Sequence, residues 1–217
     1  MNNITTSNDF PTLTVCIGNY GYYNDGELRD SWATLPMEPD EITSWLRGRG
    51  LYDEFHEETY ISDVEGWPFA SFKPDLMSVE DANRLALAMQ HAGSDGVDTV
   101  AAALECADNA PESVNGLINL LLQADEIPYA ELPLDHWGQP SVEAYGIELA
   151  DDCGLYQELE EMGAVGYFDF EEYGRDALSD YLTSDSGYLY DGMPDEDLYS
   201  RDEIDEILGI KQQDKAA

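Results

Sequence analysis

The chain has 217 residues and carries 47 aspartates and glutamates against nine lysines and arginines, a formal net charge of -38. This charge excludes duplex nucleic acid and anionic membranes as partners, because like charges repel, and it favours basic surfaces or cations. Hydrophobic residues make up 43% of the sequence and aromatic residues 11%. A highly charged chain stays disordered when it has too little apolar surface to bury, and this composition supplies enough for an ordered protein.

The sequence carries no signal for membrane insertion or export. No apolar run approaches the roughly 18 residues that span a bilayer, and residues 1–10 lack the basic region and apolar core of a signal peptide. We therefore expect a cytoplasmic protein. The three cysteines, Cys16, Cys106 and Cys153, are widely separated and form no C-x-x-C pair. This pattern favours reduced, buried thiols over a disulfide or a zinc site.

The N-terminal third has the alternating pattern of a small sheet. The predicted strands are Leu13–Ile17, Ser31–Leu35 and Glu58–Val64. Between the second and third strands, Asp40 is expected to cap a short helix that places Ile42 and Leu46 on one face. These elements predict an N-terminal α+β module over residues 1–73, of which residues 1–12 form a loose polar arm.

Residues 74–126 have the spacing of helices and predict an all-helical middle module. Ser78, followed by Asp81, resembles a helix N-cap. Apolar residues recur at helical spacing before Gly93, after Gly93, and again in a helix that Pro111 is expected to open. That third helix is apolar on nearly all sides at residues 118–122. It forms either the centre of the module or part of a subunit interface, and we favour the centre.

Residues 127–217 predict an acidic α+β module with an extra tail after residue 192. Turns dominate as far as Pro140, and the chain then becomes helical. The predicted elements are a short helix at 155–162, a longer helix that starts at Asp169, a strand at 187–190 and a last helix capped by Ser200 and Glu203. On the longer helix, Phe170, Tyr173, Ala177, Leu178 and Tyr181 are expected to face inward, and Glu172, Asp176 and Asp180 outward. Together the three modules predict an elongated multi-domain chain of the α+β class.

Motifs of common enzymes are missing from the sequence. No G-x-S-x-G, P-loop, G-x-G-x-x-G or H-E-x-x-H occurs, and His56, His91 and His136 stand in unrelated contexts. We assign each histidine to a surface or a satisfied structural role. Carboxylate pairs can perform acid and base chemistry, but among 47 acids such pairs arise by chance. The sequence therefore predicts a protein that is not an enzyme and holds no metal or cofactor.

Uncompensated acid is the most distinctive feature of the chain. The ninety residues from Leu85 to Gly174 hold nineteen acids and no lysine or arginine, whereas solvated faces usually mix both signs. Duplex DNA carries one charge per roughly 1.7 Å of axis, so the net charge matches about 65 Å of duplex, or about 19 base pairs. One helical stripe at i, i+4 spacing supplies a carboxylate only every ~6 Å, so several stripes side by side are needed. Imitation of nucleic acid is feasible, and adaptation to solubility or high salt is the plainer alternative.

Four segments of the chain resemble the antirestriction protein ArdA family. Tyr23–Leu28, with the sequence Y-N-D-G-E-L, is followed by Trp32 and Leu35-Pro36 and looks like the signature near the start of that family. The other segments are Glu57–Glu65, similar to the acidic strand of the family, Asn83–Ala86, similar to the start of its helical middle, and Phe168–Asp176, similar to its acidic C-terminal helix. The order and spacing of the segments agree over Leu13 to Asp191.

The resemblance implies an elongated three-domain protein, usually a homodimer, that imitates bent B-form DNA. It implies a role on mobile genetic elements, where such a protein blocks type I restriction-modification enzymes by filling the DNA-binding cleft of their methyltransferase core. The DNA-mimic surface is assigned to Glu105, Asp108, Glu112, Asp125, Glu126, Glu131, Asp135, Glu143, Glu148, Asp151, Asp152, Glu158, Glu160, Glu161, Asp169, Glu171, Glu172, Asp176 and Asp180. Tyr23, Asn24, Gly26, Leu28 and Trp32 are assigned to the fold rather than to contacts.

Two other classes of function remain open. An acidic module that sequesters a basic nucleoid or histone-like protein would use the same charges. A calcium buffer would bind ions at discrete sites, and Asp191, Asp195 and Asp197 have part of the spacing of a calcium loop. Glu196 stands where that loop requires glycine, which argues against the second alternative.

Overall fold

A computed structural model describes residues 11–70, 72, 77–107 and 110–210 of the chain. This part of the chain is a mixed α+β protein with eight helices and two small antiparallel sheets. The strands are β1 (Leu13–Asn19), β2 (Asp30–Leu35), β3 (Thr59–Glu65), β4 (Tyr129–Glu131), β5 (Leu182–Thr183) and β6 (Gly187–Leu189). The helices are α1 (Tyr20–Asn24), α2 (Pro39–Gly48), α3 (Val79–Cys106), α4 (Val114–Leu122), α5 (Val142–Asp152), α6 (Leu155–Glu161), α7 (Phe170–Ala177) and α8 (Arg201–Ile207).

The described residues form two compact units. The first unit draws on residues 1–100, 111–125 and 194–217, and the second on residues 101–110 and 126–193. The division into three modules at residues 73 and 126 stays a prediction.

The sheet of the first unit has the order β2-β1-β3, with β1 antiparallel to both neighbours. Strand β1 is buried along most of its length, at Leu13, Val15 and Ile17 and also at Cys16, Gly18 and Asn19. A register shift between Cys16 and Ile17 marks a bulge against β3. The three strands predicted for the N-terminal module are confirmed, with ends that differ by one or two residues.

Three helix starts differ from the sequence-based expectation. The turn-rich segment after β1 is the short helix α1, because the side chain of Asn19 accepts a hydrogen bond from the backbone of Tyr22 and caps it. Helix α2 is capped by Glu38 in a capping box rather than by Asp40. Helix α4 is capped by Ser113 rather than opened by Pro111. In each case the side chain of the residue just before the helix accepts a hydrogen bond from an N–H group of the first turn, which has no partner within the helix.

The helices predicted for residues 74–126 are present as α3 and α4. The Ser78 hydroxyl accepts from the backbone of Asp81 at 3.0 Å, as a cap at the start of α3 should. Within α3, Gly93 has φ 73° and ψ 176°, so the helical path is interrupted there, as the spacing of the apolar residues indicated. The stretch 116–121 of α4 is buried throughout, so α4 lies at the centre of its unit as we favoured.

The segment after residue 193 is tied to α4. Asn119 exchanges two hydrogen bonds with the backbone of Tyr199, at 3.1 and 2.8 Å. The side-chain amide of Gln123 donates to the carbonyl oxygen of Asp195 at 2.8 Å. Buried amides need such partners, since an unsatisfied polar group costs about 1–3 kcal/mol. The chain end as far as residue 210 is therefore part of the first unit.

The second unit combines a small sheet with three helices. Its strands have the order β4-β6-β5 and are antiparallel. Its buried centre is Ala150 of α5, Leu159 of α6 and Phe170 of α7, covered by half-buried aromatic and aliphatic residues. The predicted helices at 155–162 and after Asp169, and the predicted strand at 187–190, are confirmed here.

Two further features concern the whole described chain. All three cysteines are free, but Cys153 is exposed, so the expectation of burial is correct for Cys16 and Cys106 and wrong for Cys153. Cys153 follows the last residue of α5 and lies at the surface because the buried face of that helix ends at Ala150. Across the ranges described, none of the helices is both long enough and apolar enough to cross a bilayer.

Candidate partner-binding surface

The acids predicted to form a DNA-mimic surface lie mostly in the second unit. Sixteen of the nineteen belong to it, Glu112 and Asp125 belong to the first unit, and Asp108 lies outside the described residues. All eighteen that are described are exposed, except Asp135, which is half-buried. The assignment of these acids to a DNA-mimic surface stays a prediction.

Two acidic helices of the second unit cross at a pair of glycines. A Cβ atom added to Gly146 of α5 would lie 1.9 Å from the carbonyl oxygen of Phe170, and one added to Gly174 of α7 would lie 2.4 Å from that of Val142. Neither distance is possible for a real side chain, so only glycine allows the two backbones to approach this closely. Helices normally pack with about 8–10 Å between axes because side chains separate them. We call this contact the glycine crossing.

Helices α5, α6 and α7 share one apolar core, formed by Ala150, Leu159 and Phe170, and each of the three helices carries exposed acids. These acids are Glu143, Glu148, Asp151 and Asp152 on α5, Glu158, Glu160 and Glu161 on α6, and Glu171, Glu172 and Asp176 on α7. That these acids lie in stripes side by side, as the charge spacing of duplex DNA requires, stays a prediction.

The charge of the second unit is almost entirely uncompensated. Its residue ranges contain nineteen acids and one basic residue, Arg175. Arg175 pairs with two acids of its own helix, Glu172 at 2.6 Å and Glu171. In the described part of this unit, the remaining acids form no ion pair. The field of the surface is therefore not cancelled within the fold.

The predicted outer stripe of Glu172, Asp176 and Asp180 needs correction. Helix α7 ends at Ala177, and the chain then tightens into turns in which Ser179 donates to the carbonyl oxygen of Asp176. Asp180 is exposed but lies beyond the helix, and Glu172 is partly neutralised by Arg175. Tyr181, expected to face inward, is exposed.

Two of the assigned acids also organise the backbone. Asp169 accepts from the backbone of Glu172 at 2.9 Å and caps α7, as predicted. Asp135 accepts from the backbone N–H groups of Gln139 at 2.9 Å and Trp137 at 2.8 Å. These bonds, with that from Gln139 first, hold the pKa of Asp135 below its ordinary value, because they stabilise the carboxylate.

Two arginines of the first unit, Arg84 and Arg201, have a different role, because they join separate elements. Arg84 of α3 forms a bidentate pair with Asp205 of α8, at 2.6 and 3.1 Å, and Asp205 is buried. The hydrogen-bonded carboxylate raises the pKa of Arg84 above its ordinary value. Arg201 of α8 contacts Asp81 of α3 at 2.6 Å. These charges stabilise the fold.

His56 is held between two carboxylates in the first unit. Its Nδ1 lies 2.8 Å from Asp53 and its Nε2 lies 3.2 Å from Asp25, and its ring stacks on Tyr22 with 4.0 Å between centroids. The hydrogen bond with Asp53 first, and that with Asp25 second, raise the pKa of His56, because both stabilise the imidazolium. A histidine with both ring nitrogens hydrogen-bonded fits the structural role that we assigned to it.

The five residues of the family signature differ in their surroundings. Gly26 has φ 83°, a left-handed conformation in which other residues are strained, so the backbone accounts for this glycine. Asn24 is the last residue of α1. Tyr23, Leu28 and Trp32 are exposed, and Leu28 has 82% of its surface accessible. Their assignment to the fold stays a prediction that burial does not explain.

Sequence reasoning did not identify Gly146, Gly174 or the exposed Trp137 as important. One signal was available: glycine within a helix is less favourable than alanine by about 1 kcal/mol, so a glycine at mid-helix asks for a packing reason. Among the described residues, no group of three His, Cys, Asp or Glu side chains is arranged to hold a metal ion.

A comparison with curated proteins found no match. The sequence model of the ArdA family, described as antirestriction protein, matches residues 15–190. That range contains all four segments on which the resemblance rests and covers most of the chain. Proteins of this family are inhibitors that act on restriction enzymes, rather than enzymes themselves. The chain therefore belongs to the antirestriction protein (ArdA) family.

Proposed function

We propose that this antirestriction protein imitates B-form DNA and occupies the DNA-binding cleft of a type I restriction-modification enzyme, at its methyltransferase core. It acts in the cytoplasm, on behalf of a mobile element, and binds neither nucleic acid nor membrane. One observation supports this most: the second unit carries nineteen acids, and its single arginine is engaged with its own helix. A surface of that kind suits a cleft whose lysines and arginines normally bind phosphates.

The proposed mechanism is occupancy without chemistry. The carboxylates on α5, α6 and α7 neutralise cationic side chains of the cleft and release the counterions that DNA would release. The enzyme then cannot bind its DNA, and the inhibitor is not consumed. Inhibition is expected to be stoichiometric.

Cleavage of an unmodified plasmid by a purified type I enzyme, with this protein titrated in, tests the proposal. We expect cleavage to stop at a fixed molar ratio of inhibitor to enzyme, and added plasmid to compete with the inhibitor. Inhibition that grows with incubation time at a small fraction of that ratio would indicate turnover and contradict occupancy of a cleft.

Salt provides a second, independent test. Phosphate-like contacts are screened and lose their counterion release as salt rises, so the affinity for the enzyme should fall steeply between 50 and 200 mM salt, by roughly tenfold or more. An affinity that stays flat over this range would show that charge does not drive the binding.

Shape and assembly belong to the same proposal. An inhibitor that imitates a duplex should lay its charges along an elongated body, with three modules in line and two copies in a homodimer. X-ray scattering measures this directly, because a globular monomer of this length would have a radius of gyration of about 17 Å. A radius of gyration near that of a globular monomer would contradict the elongated body, and a monomeric mass would contradict the homodimer.

Sequestration of a basic nucleoid protein is the second candidate, and the uncompensated acid of the second unit favours it equally. Pull-down from a bacterial extract distinguishes the two targets by what is captured. Discrete calcium binding, the third class of function, would appear as saturable heat in calorimetry.

A further inference from the structure

One loop of the second unit presents a tryptophan to solvent. Residues 133–141 form this loop, which we call the Trp137 loop. Its ends are joined by a β-bridge between Leu134 and Pro140, and by a hydrogen bond from the backbone of Ser141 to the carbonyl oxygen of Pro133 at 2.9 Å. Trp137 stands at the tip with 63% of its surface accessible.

The Trp137 loop is held in one conformation by its own polar groups. Asp135 accepts from the backbone of both Trp137 and Gln139, and its own N–H donates to the carbonyl oxygen of Gln139 at 2.7 Å. Gly138 turns the chain with φ 79°, a conformation that favours glycine. The tryptophan is therefore presented by an ordered loop.

Folding does not account for this arrangement. A large aromatic side chain stabilises a fold through the apolar surface that it buries. Trp137 leaves most of its surface in water. Tryptophan is enriched at the energetic centres of protein interfaces, where a preorganised side chain loses little entropy on binding. The loop has the properties of a contact element.

Charge decides which partner such a contact fits. The loop leads directly into α5, because Ser141 caps that helix, and α5 carries four exposed acids. The unit around the loop holds nineteen acids and one arginine, so a second copy of the same surface would be repelled. A basic surface is attracted, and the face of an indole binds guanidinium and ammonium groups directly.

We propose that Trp137 is an anchor that stacks on an arginine or lysine of the cationic cleft occupied by the neighbouring acids. This inference rests on the proposed function and adds to it a contact that a uniform field of charge does not provide. The acids supply long-range attraction, and the indole supplies one local contact that is insensitive to salt.

The test compares three variants in the plasmid-cleavage titration at several salt concentrations. Trp137→Ala should weaken inhibition by about tenfold, as loss of a desolvated cation–π contact does. Trp137→Phe should lie between wild type and Trp137→Ala, since a smaller ring binds cations less strongly. Phe55→Ala, which truncates a side chain that is 84% exposed in the first unit, should inhibit like wild type.

The salt dependence gives a readout that general damage would not produce. Trp137→Ala should lower the affinity by a similar factor at every salt concentration and leave the slope of log affinity against log salt unchanged, because no phosphate-like charge is removed. Circular dichroism checks the fold. If Trp137→Ala does not fold, Trp137→Phe decides alone, and inhibition by Trp137→Phe equal to wild type would overturn the contact.

Three further results would overturn the inference. Equal inhibition by wild type, Trp137→Ala and Phe55→Ala would remove the contact and leave the proposed function intact. A weaker Trp137→Ala whose mass by light scattering also changes would assign the tryptophan to a second copy of the chain. A wild-type protein without effect on cleavage would overturn the proposed function, and this contact with it.

Discussion

The two units of the protein differ in what their arginines pair with. In the first unit, Arg84 and Arg201 connect α3 to α8 through Asp205 and Asp81. In the second unit, Arg175 pairs only within its own helix, and the elements are held together by an apolar core and the glycine crossing. Because only a few acids of that unit, such as Asp135 and Asp169, organise the backbone, the others are available to a partner. This difference, rather than the total charge, locates the proposed binding surface.

The largest effect is expected from breaking the buried ion pair of the first unit. Arg84→Gln leaves Asp205, 11% exposed at its side chain, without its cation, and should lower the free energy of unfolding by about 3 kcal/mol. Urea denaturation followed by circular dichroism measures this. The matched control is Arg175→Gln in the second unit, where the pair is exposed and worth less than about 1 kcal/mol. Equal losses from both variants would mean that the two units do not differ as described.

The glycine crossing should give the next largest effect. Gly146→Ala places a methyl group against the carbonyl oxygen of Phe170, so α5 and α7 must separate, and the free energy of unfolding should fall by about 2 kcal/mol despite the better helix propensity of alanine. Gly166→Ala is the control, since a Cβ there would meet nothing within 4 Å. If Gly146→Ala is as stable as wild type, close packing does not hold the second unit together.

Removing charge from one unit at a time tests which unit carries the binding surface. A second-unit variant neutralises Glu158, Glu161, Glu172, Asp176 and Asp180 to Gln or Asn. If each exposed charge contributes a few tenths of a kcal/mol, inhibition should weaken on the order of tenfold and depend less on salt.

The control for that variant removes the same charge from the first unit. It neutralises five exposed acids, namely Glu54, Glu57, Glu58, Glu65 and Asp98. We expect it to inhibit nearly as well as wild type. Equal weakening by both variants would show that the field of the whole chain acts, and the surface assignment would have to be extended to the first unit.

Local rules predicted much of the fold. The caps at Ser78 and Ser200 and the helix start at Asp169 were predicted, because a polar side chain and a backbone N–H two or three residues later suffice to form a cap. The strands of the first sheet followed from alternation of apolar residues, which a pleated strand imposes directly. Where a nearby residue could serve equally well, as Glu38 does in place of Asp40, the start of a helix moved.

Contacts between distant segments could not be predicted in this way. Arg84 and Asp205 are 121 positions apart, and nothing near either residue indicates the other. The mid-helix position of Gly146 indicates close packing, but the sequence does not indicate that Gly174 is its partner, because tertiary structure determines which helices meet. The surface was predicted from the count of acids alone, so the role of Asp135 in its loop and the pairing of Glu172 with Arg175 were missed. Which exposed residues bind a partner depends on the shape of that partner.

The cluster around His56 predicts how the first unit depends on pH. The pKa of His56 is raised by folding. The contribution of His56 to stability is therefore complete below its pKa in the unfolded chain, about 6.5, and is lost as the pH rises through its pKa in the folded protein. The pKa of Asp53 is lowered, mainly by the hydrogen bond from the Tyr22 hydroxyl, so its contribution is present above about pH 4 and is lost as the pH falls through the folded value.

The variant His56→Gln isolates the histidine part of that dependence. Its deficit in the free energy of unfolding relative to wild type should be largest near pH 5–6 and should shrink above the folded pKa of His56. Asp25, Asp53 and Tyr22 face the ring, and Arg29 lies over the far face of Tyr22. Urea unfolding at several pH values measures the deficit, with the exposed His91→Gln as control. A deficit that is constant with pH would mean that His56 stabilises by packing alone.

The smallest effects are expected from single acids of the second unit. If many carboxylates act together as a smeared phosphate backbone, removing one lowers the potential only slightly, because its neighbours maintain it. Asp176→Asn and Asp180→Asn should each change the inhibitory concentration by less than about twofold. Asp176→Asn should not lower the stability of α7, since a like charge near Glu172 is removed. Glu172→Gln should have even less effect on inhibition, because the negative charge that it removes is already paired with Arg175. The substitution also frees Arg175 from one of its two partners. The three singles are compared in the same cleavage titration as the quintuple variant. A single substitution that abolished inhibition with the fold intact by circular dichroism would establish a specific carboxylate contact, and the distributed field would then have to be replaced at that position by a discrete one, as proposed for Trp137.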